Sequence, residues 1–141
     1  MAMLINLTPR QKEIAEWAID PMHDFFVEQF ESGEMIYMPE MPSIRKDSDT
    51  LEIPEDGEVI GDLIYRLLDM FQDICDDAQK GIVPSYIVGT DGIARKNVDQ
   101  IKKHREEIAK AKGDATSARQ LARKIKTAAK RNRVTPVTWV R

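Results

Sequence analysis

The sequence predicts an α+β protein that is mostly helical: a two-helix acidic core with short strands, then a basic αα-hairpin and an extended tail. Three observations carry this. Apolar residues recur at helical spacing over two long stretches, 9–32 and 55–79. Short apolar runs bounded by Pro and Gly lie around them and read as strands. Charge is segregated along the chain. Net charge is −3 over 141 residues, yet residues 1–80 hold 6 Lys and Arg against 19 Asp and Glu, and residues 81–141 hold 15 against 5. The expected organisation is an acidic helical core at 1–92 and a basic hairpin with tail at 93–141, packed separately or as one domain. Such asymmetry points to a polyanionic partner or to association between the halves, and says nothing about fold.

Composition narrows the class. The chain is 42% hydrophobic and 32% charged, which describes a soluble protein with a real core. Its apolar runs fall far short of the ~20 residues that span a bilayer, so no membrane partner is expected. The opening MAMLINLTPRQKE has neither the basic start nor the long apolar run of a secretory leader. Cys75 is the one cysteine, which excludes an internal disulfide. The expectation is a cytoplasmic protein.

Taken in order, Met3 to Leu7 is a candidate first strand. Thr8-Pro9-Arg10-Gln11 then starts a helix: Thr8 caps, Pro9 suits the first position and Gln11 completes a capping box. Ile14, Trp17, Ala18, Met22, Phe25 and Phe26 form its apolar face. Pro21 either kinks one helix or begins a second one capped by Asp20. Residues 33–54 read as loop, with one short strand at Met35 to Met38. The second long helix begins near Pro54-Glu55-Asp56, where acids suit the helix dipole, and ends before Gly81. Ile60, Leu63, Ile64, Leu67, Phe71, Ile74, Cys75 and Ala78 make its core face. Asp62, Asp69, Asp73 and Asp76 make an acidic stripe opposite. Ile82 to Val88 is strand-like, Gly89 to Gly92 is a turn, and a helix runs from about Arg95 to Ala111. Gly113 is expected to stop that helix, with Asp114 capping the last one.

Enzymatic chemistry finds no footing. His23 and His104 fall in different elements, far from the three or four spaced ligands that zinc requires. Cys75 lies on an apolar face, where a buried hydrophobe is the expected role. The Asp62–Asp76 stripe has no phosphate-loop motif beside it to complete a Mg²⁺ site. The Gly89–Gly92 turn matches neither nucleotide-binding pattern. The expectation is therefore a non-enzymatic protein without cofactor or metal.

The basic half divides in two. Between Arg95 and Lys112 the lysines meet acids four residues away, as in Lys102–Glu106 and Glu106–Lys110, and that face neutralises itself. After Asp114 no acid remains. Arg119, Arg123, Lys126 and Lys130 form one stripe about 16 Å long at 1.5 Å per residue. Such a stripe suits a nucleic-acid backbone, read through phosphates with little sequence specificity. Arg133, Lys103 and Trp139, the last as a stacking platform, complete the candidate set. The alternative is a protein-interaction or inhibitor module. There Asp62, Asp69, Asp73 and Asp76 pair with a basic surface on a partner, in a homo-oligomer or on this chain's own last helix, or mimic nucleic acid. The two readings divide on one geometric question: whether Arg119–Lys130 faces Asp62–Asp76, which argues against nucleic acid, or faces out.

Overall fold

A computed structural model of the chain describes residues 2–138. In order, the elements are β1 (Ala2–Asn6), α1 (Pro9–Glu31), β2 (Ser43–Ile44), β3 (Thr50–Pro54), α2 (Gly57–Lys80), β4 (Tyr86–Val88), β5 (Ala94–Lys96) and α3 (Val98–Arg131). The architecture is α+β and mostly helical. No helix among the described residues is long and apolar enough to cross a membrane.

The first helix begins as its sequence dictates. Thr8 accepts from the Gln11 amide, and the Gln11 side chain accepts from the Thr8 amide, closing the capping box. The helix continues through Pro21, which lies on its exposed side, so the carbonyl that loses its donor lies toward water. Asp56 caps α2 by accepting from the amides of Glu58 and Val59.

The expected strand at Met35–Met38 is not formed. Instead, β2 and β3 lie within the stretch read as loop, and β3 pairs antiparallel with β1, giving the order β1-β3-β2. The reason is alternation: Met3 and Ile5 on β1 and Leu51 and Ile53 on β3 all turn into the core, while Leu4 and Glu52 between them turn outward. Met35 and Met38 instead pack as partly buried side chains at the core edge.

A larger departure concerns the basic half. The expected αα-hairpin broken at Gly113 is a single 34-residue helix. Ile101, His104, Ile108, Ala111, Ala115, Ala118, Ala122, Ile125 and Ala129 step by three and four residues without a change of phase. That unbroken stripe lets α3 lie antiparallel along the whole of α2, with His104 near Gly81 at one end and Arg119 on Gln72 further along. Gly113 faces open space and costs about 1 kcal/mol of helix propensity, too little to outweigh the burial on either side of it. Asp114 is not a cap. It is buried inside the helix and ion-paired with Arg10 of α1.

One buried cluster joins residues from β1, α1, β3, α2 and α3. Small residues dominate the α3 share, and that lets its backbone approach α2 closely. Trp17 and Ile74, both expected in the core, are about half exposed. Trp17 stacks on Phe71 at 6.4 Å, with Lys110 over its other side.

Beyond α3 the chain reverses. Arg133 amide donates to the Lys130 carbonyl and Val134 amide to the Ala129 carbonyl, the paired bonds of a Schellman ending. Arg133 occupies its left-handed position at φ 58°. The tail then crosses the start of α2, where the Val137 amide donates to the Gly57 carbonyl at 2.9 Å. Gly57 and Gly61 make that crossing possible, because a Cβ on either would run into the tail backbone at Thr135 or Val137.

Candidate functional site

The basic stripe lies on the flank of α3 that borders α2. Arg119 sits nearest the middle of the helix, donating to the Gln72 side chain at 3.1 Å and to Thr116 at 3.2 Å. Arg123, Lys126, Lys130 and Arg133 follow, all exposed. Among the described residues these four make no hydrogen bond or ion pair through their side chains. Lys124, off the stripe, does the opposite: its ammonium donates to the Asn6 carbonyl at 3.0 Å and to Gln11 at 2.8 Å, tying α3 to the start of α1.

Two candidates do not join the stripe. Lys103 is sixteen residues before Arg119, about 24 Å along the same helix and on another face. Trp139 lies outside the described residues.

The acidic stripe does not hold together as a surface. Asp62 is buried and ion-paired with Arg66 at 2.8 Å, and Arg66 in turn covers the Phe25 ring at 5.5 Å. Its carboxylate is spent within α2, and Arg66 makes the contact with α1. Asp76 accepts from Gln72 at 3.0 Å. Asp73 is exposed. The two stripes do meet at two places: Gln72 bridges Arg119 and Asp76, and Asp69 lines a groove with Lys126, Lys130 and Arg133.

That groove has a volume of about 750 Å³. One wall is α2, through Gly61, Tyr65 and Asp69. A second is the end of α3, through Lys126, Lys130 and Arg133. The tail from Val134 to Thr138 forms the third, and Ile64 and Leu68 contribute apolar lining. The groove exists because the chain turns back at Arg133 and because the two glycines let the tail close over α2. No family model, curated protein or solved structure matches the chain. The site therefore rests on its own geometry.

Tyr65 and the tail wall are the parts that reading the sequence missed. A signal for them was present: Gly57, Gly61, Tyr65 and Asp69 recur every four residues along one ridge of α2. Small residues at that spacing inside a helix mark a close backbone approach. Tyr65 is partly buried there rather than solvated.

The other candidate centres stay apart. His23 is exposed beside Asp24, and Cys75 is buried, with its sulfur facing the Gln79 side chain at 3.8 Å. No three potential metal ligands come together among the described residues. The Gly89–Gly92 turn closes on itself: Gly92 is left-handed at φ 76°, and Asp91 accepts from the Ile93 amide and from Arg95. The Arg95 guanidinium, helped by that amide, holds the Asp91 carboxyl below its ordinary 3.8.

Proposed function

We propose that the protein is a non-enzymatic binding protein that engages the nucleic-acid backbone, with low sequence specificity, through the basic end of α3. The observation that carries this reading is the exposed file of Arg123, Lys126, Lys130 and Arg133, whose side chains make no hydrogen bond or ion pair among the described residues. Carboxylates on the adjacent α2 are close enough in sequence register to neutralise a stripe. Asp62 and Asp76 are instead engaged within their own helix, and the cations remain exposed. Four cations in one file displace counterions from a phosphate chain, and that entropy supplies the affinity.

The test is a gel-shift titration at low salt. Retention at micromolar protein, falling steeply as salt rises, is the expected result; no retention refutes the reading. Arg123→Gln and Lys126→Gln each weaken binding alike on all sequences. Each lowers the slope of log affinity against log salt by about 0.7–0.9.

A second reading, a protein-interaction module, is favoured by one separate feature. The β4–β5 hairpin is exposed along its length and displays Tyr86, Ile87, Val88 and Ile93 to solvent. An isolated two-stranded hairpin is marginal in water, and a partner surface completes it. Size-exclusion chromatography with light scattering, with and without nucleic acid, separates the two: a defined oligomer indifferent to nucleic acid supports the second.

A further inference from the structure

Residues 81–90, GIVPSYIVGT, are the longest stretch of the chain without a charged residue, in a sequence that is 32% charged. Burial does not account for it. Ile82 is 94% exposed, and Tyr86 and Val88 on β4 are 64% and 67% exposed. The sheet that holds β4 has two strands, so one edge of β4 has no strand beside it among the described residues. Soluble proteins blunt such an edge with charge or with proline inside the strand. Pro84 stands before β4, and the strand itself carries neither.

The hydrogen bonds of the hairpin fix what that edge presents. The Asn97 amide donates to the Ser85 carbonyl at 2.9 Å, and the Gly89 amide to the Ile93 carbonyl at 3.1 Å. In an antiparallel ladder every second residue turns its backbone groups to the same neighbour. Ile87, opposite Arg95, therefore faces β5 together with Ser85 and Gly89. Tyr86 and Val88 turn their amides and carbonyls outward, along the free edge. The outer edge of β5 is different in kind, because that strand carries Arg95 and Lys96.

We propose that the free edge pairs with itself: β4 of one copy lies antiparallel to β4 of a second, about a two-fold axis at Ile87. This rests on the protein-interaction reading of the hairpin and names its occupant as a second copy of this chain. Three features single out a second copy over an unrelated strand. The edge is self-complementary. With Ile87 opposite Ile87, Tyr86 of each copy falls opposite Val88 of the other, which forms four backbone hydrogen bonds and two aromatic–β-branched pairs. Each hairpin, marginal as two strands, becomes half of a four-stranded sheet. The pairing also closes, since the new sheet ends on β5 at both sides and the cations there oppose a third copy.

The experiment is size-exclusion chromatography with light scattering on the full chain, from about 1 to 200 µM, the range of a small, transient interface. Hydrogen exchange is read at both ends of that range. The mass is expected to rise from monomer to dimer and stop there. The Tyr86 and Val88 amides become protected at the high concentration only. Tyr86→Lys with Val88→Lys in one chain sets lysine opposite lysine and weakens association at least tenfold. Tyr86→Glu with Val88→Glu does the same. An equimolar mixture of the two double variants dimerises again, because the register sets each lysine opposite a glutamate. Both changes fall on exposed side chains, and thermal melting of dilute protein verifies that the fold is kept.

A monomer throughout, with the Tyr86 and Val88 amides unprotected at every concentration, overturns self-pairing and leaves the hairpin to a different strand. A dimer that neither double variant weakens overturns it as well, and removes the hairpin from the interaction reading. Double variants that stay monomeric when mixed overturn the antiparallel pairing at Ile87.

Discussion

Substituting alanine at two helical glycines has opposite expected consequences, and the contrast tests the tail's path. In a helix interior Gly→Ala gains about 0.8–1 kcal/mol of propensity. Gly113 lies inside α3 with nothing within 4 Å of an added Cβ. Gly113→Ala therefore realises the full gain, raising the melting temperature by about 2–4 °C. At Gly61 the same methyl group meets Val137 backbone atoms: the carbonyl oxygen directly, and the nitrogen and carbonyl carbon at 2.9 Å. Backbone has no rotamer to yield, so the tail must lift.

Lifting forfeits the Val137–Gly57 hydrogen bond, about 0.5–1.5 kcal/mol. It also forfeits the partial burial of Val137, which is 43% exposed, about 1 kcal/mol more. These losses exceed the propensity gain, so Gly61→Ala is destabilised by about 0.5–1.7 kcal/mol. Urea denaturation of both variants gives the two energies, and hydrogen exchange at the Val137 amide reports the tail directly. Equal stabilisation by both substitutions, with the Val137 amide still protected, refutes the reasoning.

Three further outcomes are expected. Arg133→Gly relieves a left-handed non-glycine residue and stabilises by roughly 0.5–1 kcal/mol, yet lowers polyanion affinity by removing a groove cation; denaturation and anisotropy on one sample check both. Asp114→Ala costs about 1–2 kcal/mol by removing the buried partner of Arg10, a value held down because Arg10 is 39% exposed and keeps Glu13. A double-mutant cycle with Arg10→Ala then shows coupling, whereas a helix cap at Asp114 would act independently of Arg10. Asp91 titrates below 3.8 because Arg95 favours its charged form. Its support for the β4–β5 turn is thus complete above that value and is lost as pH falls through the lowered one. Arg95→Gln returns the carboxyl signal in NMR titration toward the ordinary value, and an unchanged titration excludes the pairing.

Legibility varied with the range of the interaction. The capping box at Thr8 and Gln11, the acidic start of α2 and the Gly89–Gly92 turn were readable, since each is settled within four residues. The buried faces of α1 and α2 were readable by period, apart from Trp17 and Ile74 at their edges. Gly113-Asp114 misled because locally it reads as stop and cap, while the phase from Ile101 to Ala129 runs through it. In that contest burial on α2 outweighs a local preference of about 1 kcal/mol. The sheet was half legible: TLEIP alternates cleanly, but Met35–Met38 competed with equal apolar content and lacked a partner strand. In the candidate site the cations were plain, because no acid follows Asp114.

By itself, then, the sequence determines where helices start, which stripes are apolar, and that one basic stripe lacks an acid on its own helix. Those properties follow from backbone hydrogen bonding and side-chain period over a few residues. Tertiary structure alone decided which charges find partners across helices. Asp114 goes to Arg10 and Lys124 to the start of α1, while Arg123, Lys126, Lys130 and Arg133 are left at the surface. It also decided that Tyr65 and Asp69 face those cations across a groove. Residues more than fifty positions apart meet there only because α3 runs unbroken along α2 and the chain turns back at Arg133 over two glycines.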